Sequence, residues 1–139
     1  MLKTVWLNLP VKDLNKSKEF FARLGFSFDT EHGNSDHSGC FMVGEDKFHV
    51  LLFPENTFKN FTQNEVADTG KGAEVLISLG AESREEVDEM ARKAFEAGGT
   101  VYGEPGETQG WMYGCGFADL DGHRWNVLYM DFSKMPKPQ

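Results

Sequence analysis

Alternating apolar and polar positions begin with the first residues and predict a strand over residues 4–9. Asp13 is placed to cap a helix that carries Phe20, Phe21 and Leu24 at helical spacing, and Gly25 ends it. Three short β-rich runs follow, GFSFDTE, SGCFMVGE and KFHVLLF, separated by Gly, Asn and Asp turn signals. The predicted order is strand, helix, strand, strand, strand.

The same order then recurs. AEVLISLGA reads as a strand, and Ser83 with Glu86 forms a capping box ahead of the apolar positions Val87, Met90, Ala91, Ala94 and Phe95. Gly98 and Gly99 close that helix. TVYGE, MYGCGFAD and HRWNVLYMD supply three more strands, with Asp121-Gly122 as a tight turn between the last two. Between the halves, FKNFTQNEVADTGKG reads as a polar connector holding a short helical turn. The expected fold class is α+β, one domain over residues 1–139 made of two tandem βαβββ modules, residues 1–61 and 73–132, joined by a linker at 62–72. One such unit covers one face of its sheet with its helix and leaves the other bare, so two units are expected to form a curved mixed sheet around a cavity.

Charge narrows the partners. With 14 Lys and Arg against 22 Asp and Glu, a net charge of -8 opposes the phosphate neutralisation that nucleic-acid binding needs. It also repels anionic membrane surfaces, and no apolar run approaches the roughly 20 residues of a spanning helix. The segment MLKTVWLNLPVKD lacks the pattern of a secretory signal, so a cytoplasmic location is expected. Cys40 and Cys115 are too few for a disulfide framework and sit in strand-like segments, where a reduced thiol acts as a small hydrophobe.

The segments WLNLPVKDLNKSKEFFARLGF and GWMYGCGFADLDGHRWNVLYMD resemble the glyoxalase, bleomycin-resistance and extradiol-dioxygenase (vicinal oxygen chelate) superfamily, in its uncharacterised glyoxalase-like branch. The motif VKDLxKSxxFF with LGF, and DxDGHxW one repeat later, is specific for the fold and only weakly so for the reaction, since one scaffold hosts many chemistries. The resemblance implies four metal-ligand positions, on the first, fourth, fifth and eighth strands, usually filled by His or Glu. Here they fall on Trp6, Leu51, Glu74 and Asn126. Two of these cannot bind a metal, and a carboxylate with a carboxamide falls short of the three or four ligands that zinc, nickel or iron sites use. No cofactor is therefore expected; the alternative is a divalent metal held in part by Glu74. A new site from His37, His49 and Glu74 has no recognised spacing. The resemblance further implies a symmetric homodimer that covers sheet edges.

Period-two alternation from those positions places Trp6, Asn8, His49, Leu51 and Phe53 on the cavity side of the first module. In the second it places Glu74, Leu76, Ser78, Arg124, Asn126 and Leu128 there, with Trp111 and Tyr113 closing one end. An aromatic cavity with few polar points suits a planar or apolar small molecule. Glu74 is the candidate catalytic base, because a carboxylate that loses solvation in such a cavity titrates closer to the working range; a salt bridge with Arg124 is the bland alternative. His123 is read as organising the DGH hairpin or a dimer contact rather than performing chemistry, and His32 and His37 as loop residues. Trp6 and Trp111 either stack a ligand or fill the core. Three functions compete: a metal-free binding protein, a lyase, isomerase or dioxygenase acting through Glu74 or a metal, and a dimer with a vestigial pocket.

Overall fold

The structure is a computed structural model, and it describes residues 1–28 and 33–138. Two compact units divide it at residue 68, each with its own four-stranded sheet.

In the first unit, strand β1 (Leu7–Val11) leads into helix α1 (Leu14–Arg23), then β2 (Ser27–Phe28), β3 (Gly39–Val43), β4 (Phe48–Pro54) and helix α2 (Glu55–Thr62). The sheet order is β1-β4-β3-β2, with β1 parallel to β4 and the other pairs antiparallel. Asp13 caps α1 by accepting from the Lys16 amide, so the expected helix start holds. The apolar stripe of α1 buries Phe20 and Phe21, and Phe21 stacks on Phe41 of β3 at 4.8 Å. Leu9, Val11, Phe41, Val50 and Leu52 complete that core.

The second unit repeats the plan with β5 (Leu76–Gly80), α3 (Arg84–Glu96), β6 (Thr100–Thr108), β7 (Met112–Ala118) and β8 (Arg124–Met130), in the order β5-β8-β7-β6. Ser83 accepts from the Glu86 amide, while Glu86 accepts from the Glu82 amide, one residue earlier than a strict capping box. Val87, Ala91 and Ala94 of α3 pack on the face carrying Cys115, Phe117, Trp125 and Val127, where the Phe117 and Trp125 rings lie parallel at 6.2 Å. The fold is thus α+β with two βαβββ modules, as the repeat predicts.

Five local readings change. Residues 58–72 were expected as a connector with one helical turn, but α2 is eight residues long and starts directly after β4. Its Phe61 meets Phe53 edge-on at 5.0 Å, and this contact gives the helix an apolar anchor. Phe95, expected within the buried stripe of α3, is 71% exposed. Strand β5 starts at Leu76, because β8, its only neighbour among the described residues, starts at Arg124, the register partner of Leu76; Glu74 and Val75 precede it. Trp6 likewise precedes β1. Of GFSFDTE only β2 is strand among the described residues; residues 29–31, and His32 with them, lie outside those described.

Among the described residues no helix is long and apolar enough to cross a membrane. Both cysteines are buried and neither forms a disulfide. Burial pushes the Cys115 thiol up to about 11, and its Sγ donates to the Val87 carbonyl, so it packs as a hydrophobe.

Candidate functional site

Each sheet has a second face, turned away from its helix. In the first module, cross-strand pairing puts Asn8 beside Leu51, Pro10 beside Phe53, and His49 beside Met42 on that face. Asn8 is exposed there, His49 is half-buried, and Phe53 is engaged by Phe61 of its own module. Trp6 is 52% exposed, which removes the reading of it as core filler.

In the second module the corresponding face carries Leu76 and Ser78 from β5, Arg124, Asn126 and Leu128 from β8, and Met112, Gly114 and Gly116 from β7. Gly116 opposes Asn126, and Gly114 opposes Leu128. Tyr113 therefore belongs to the opposite face, beside Tyr129; its hydroxyl donates to Asp88 and the Arg84 guanidinium lies over its ring. Sequence reading had placed it at the cavity end, one register step from where pairing puts it. Trp111 sits in the turn before β7, its carbonyl accepting from the Asp131 amide, its ring 6.3 Å from Phe132. The indole Nε1 is buried without a hydrogen-bond partner among the described residues.

A residue absent from the expected set shapes this face. Register shifts in β6 between Val101 and Gly103 leave Tyr102 as an extra residue opposite β7, a bulge that re-aims its side chain. The Tyr102 ring lies where a side chain on Gly116 would be: a Cβ there would stand 2.6 Å from two ring carbons. The hydroxyl donates to the Trp125 carbonyl at 3.2 Å, and the Arg124 guanidinium covers the ring at 4.4 Å from its centroid. The signal was available, since two glycines inside MYGCGFAD mark a close approach by another group.

Two open grooves flank this arrangement and adjoin at Leu76 and Tyr102. One, about 520 Å³, is lined by the 69–75 segment with Arg124; the other, about 470 Å³, by Gly114, Gly116, Leu128, Glu104 and Asn126 among others. The Asn126 Oδ1 atom is buried and has no hydrogen-bond partner among the described residues. Glu74 lines the first groove but is exposed, so the burial expected of a catalytic base is missing, and among the described residues it makes no ion pair with Arg124.

The turn that aims β8 is held by one carboxylate. Asp119 is buried, its Oδ1 accepting from the Asp121 and His123 amides and its Oδ2 from the Trp125 indole, each at 3.0 Å. Gly122, at φ +83°, permits the turn. His123 thus belongs to the turn, as expected.

The four positions implied as metal ligands do not fit a metal. Trp6 and Leu51 carry no donor that binds a cation, Glu74 is exposed ahead of its strand, and Asn126 offers only an amide. Among the described residues no three His, Cys, Asp or Glu side chains are grouped to hold an ion.

Residues 3–127 match the family model described as Glyoxalase/Bleomycin resistance protein/Dioxygenase superfamily. A hypothetical protein, SA1046 from S. aureus, is similar at 39% identity over 93% of this chain and 94% of that one, with a TM-score of 0.82. A glyoxalase/bleomycin resistance protein/dioxygenase family enzyme from Burkholderia phytofirmans shares the fold at 18% identity (91% and 97% covered, TM-score 0.75). The fosfomycin resistance protein FosX from Listeria monocytogenes does so at 18% (96% and 98% covered, TM-score 0.66). No functionally curated protein matches the chain.

Proposed function

The chain belongs to the Glyoxalase/Bleomycin resistance protein/Dioxygenase superfamily, and from that premise we propose that it binds a small planar or apolar molecule without a metal, on the helix-free face of its second module. One observation carries the reading: the face carries an open groove lined by Leu76, Tyr102, Gly114, Gly116 and Leu128, with the Tyr102 ring over Gly116 and Leu128 over Gly114, and it holds a buried Asn126 oxygen that has no hydrogen-bond partner among the described residues. A buried acceptor left unpaired costs about 1–3 kcal/mol, and a ligand N–H or O–H reaching it removes that cost.

This predicts opposite signs for stability and binding. Asn126→Leu replaces an unsatisfied amide by an apolar group among Leu76, Met112 and Leu128, so it should raise unfolding stability by about 1 kcal/mol. Ligands recovered from an unbiased screen should bind that variant more weakly. A variant that is destabilised and binds unchanged would remove Asn126 from the site. Metal content is the second test. Protein purified without chelators should carry far less than one equivalent of zinc, nickel, iron or manganese, and one tightly held ion per chain would overturn the metal-free reading.

A further inference from the structure

We propose that the ligand of this site is anionic: a planar body carrying a carboxylate, sulfonate or similar oxyanion that pairs with Arg124, assisted by Lys71. The inference rests on the binding function proposed above and goes further by naming the charge and place of the recognised group. Three observations converge on it. First, Arg124 has no acidic partner within ion-pair distance among the described residues, whereas Lys59 and Arg84 each have one and Arg92 has two. Its guanidinium is instead spread on the Tyr102 ring, which holds it in place and leaves its N–H donors unpaired by carboxylate. Second, the groove beside it sets Lys71 and Arg124 against Glu74 alone, a local cationic excess on a chain whose net charge is -8. Third, the two grooves meet at Leu76 and Tyr102 and differ in chemistry. The first is lined by Lys71 and Arg124, with the Arg124 guanidinium at the junction on the Tyr102 ring, and the second offers the acceptor oxygens of Asn126 and Glu104. A planar molecule spanning the junction therefore meets cations with an anionic group and acceptors with a donor such as a ring N–H.

Two fluorescent probes of nearly the same aromatic body separate the possibilities. Anilinonaphthalene sulfonate carries the anion and an N–H; phenylnaphthylamine carries the N–H alone. The sulfonate should bind at one saturable site about tenfold or more tightly than the neutral probe, the scale of one charge-assisted pair, and should weaken as salt is raised. Arg124→Gln should abolish that preference, bringing the sulfonate's affinity down to that of the neutral probe, and Arg124→Lys should restore part of it. Equal binding of both probes, insensitive to salt and to Arg124→Gln, would overturn the anionic ligand while leaving an apolar site in place. Binding of neither probe would sink the site itself. Should Arg124→Gln fail to fold, the salt dependence of the wild-type preference and the Arg124→Lys variant decide the question alone.

Discussion

Asp119→Ala is expected to lower unfolding stability by about 3 kcal/mol or more, measured by urea denaturation. The carboxylate accepts from the Trp125 indole N–H and from the amides of Asp121 and His123, so alanine takes the acceptor from a buried donor and frees the turn that starts β8. Stranding a buried donor costs about 1–3 kcal/mol, and hydrogen bonds to a charged acceptor are at the strong end. Trp125→Phe tests the cause. On the wild-type background it removes the indole donor and leaves the carboxylate short of a partner; on the Asp119→Ala background its added cost should be smaller, because the pair is already broken. Additive losses in the two variants would show that Asp119 acts only through the backbone turn.

The pH response of this group has a definite sign. Burial raises the Asp119 carboxyl above the ordinary aspartate range, against the opposing pull of His123 and the donors around it. A folded-state value above the unfolded one contributes stability that is complete below the unfolded value and lost as pH rises through the folded one. Hence the deficit of Asp119→Asn relative to wild type should widen on acidification through that window. A surface carboxylate held by a salt bridge would show the reverse.

The repeat, both helix caps and the face to which Asn8, His49, Arg124 and Asn126 point were legible in the sequence, because each follows from a local rule: turn residues, capping spacing, or alternation counted from a fixed point. What was not legible depends on pairing between distant segments. Tyr113 is two residues from Cys115 and shares its face; only the register of β7 against β8 shows that this is the helix face and that the glycines take the other. Tyr102 depends on a bulge in β6, which adds one residue to the alternation and turns its ring over Gly116. Glu74 lines a groove, but from the segment ahead of β5 rather than from within it: AEVLISLGA reads as one strand, whereas pairing with β8 begins only at Leu76, opposite Arg124. Phe95 fits a helical stripe by spacing but falls outside the arc that the sheet covers.

The same close approach gives the largest effect expected on binding. Gly116→Ala places a methyl 2.6 Å from the Tyr102 ring, a contact real side chains do not make, and the ring is the half-exposed end of a side chain that can swing away. Backbone strain is absent from the argument, since Gly116 is not among the positive-φ glycines. Once displaced, Tyr102 loses its bond to the Trp125 carbonyl, Arg124 loses the ring that supports it, and the junction of the two grooves is remade. Stability should fall by only about 1–2 kcal/mol. Affinity for anilinonaphthalene sulfonate should fall by about 2 kcal/mol or more, roughly thirtyfold, because an aromatic anchor and its charged neighbour are lost together. Two further glycines on this face frame the result. An added Cβ at Gly80 meets nothing within 4 Å, so Gly80→Ala should leave binding unchanged. At Gly114 it would stand 2.9 Å from the Val127 carbonyl oxygen, which is backbone and cannot swing aside, so Gly114→Ala should cost more stability than Gly116→Ala. If Gly116→Ala and Gly80→Ala bound the probe equally well, the Tyr102 face would not be where the ligand sits.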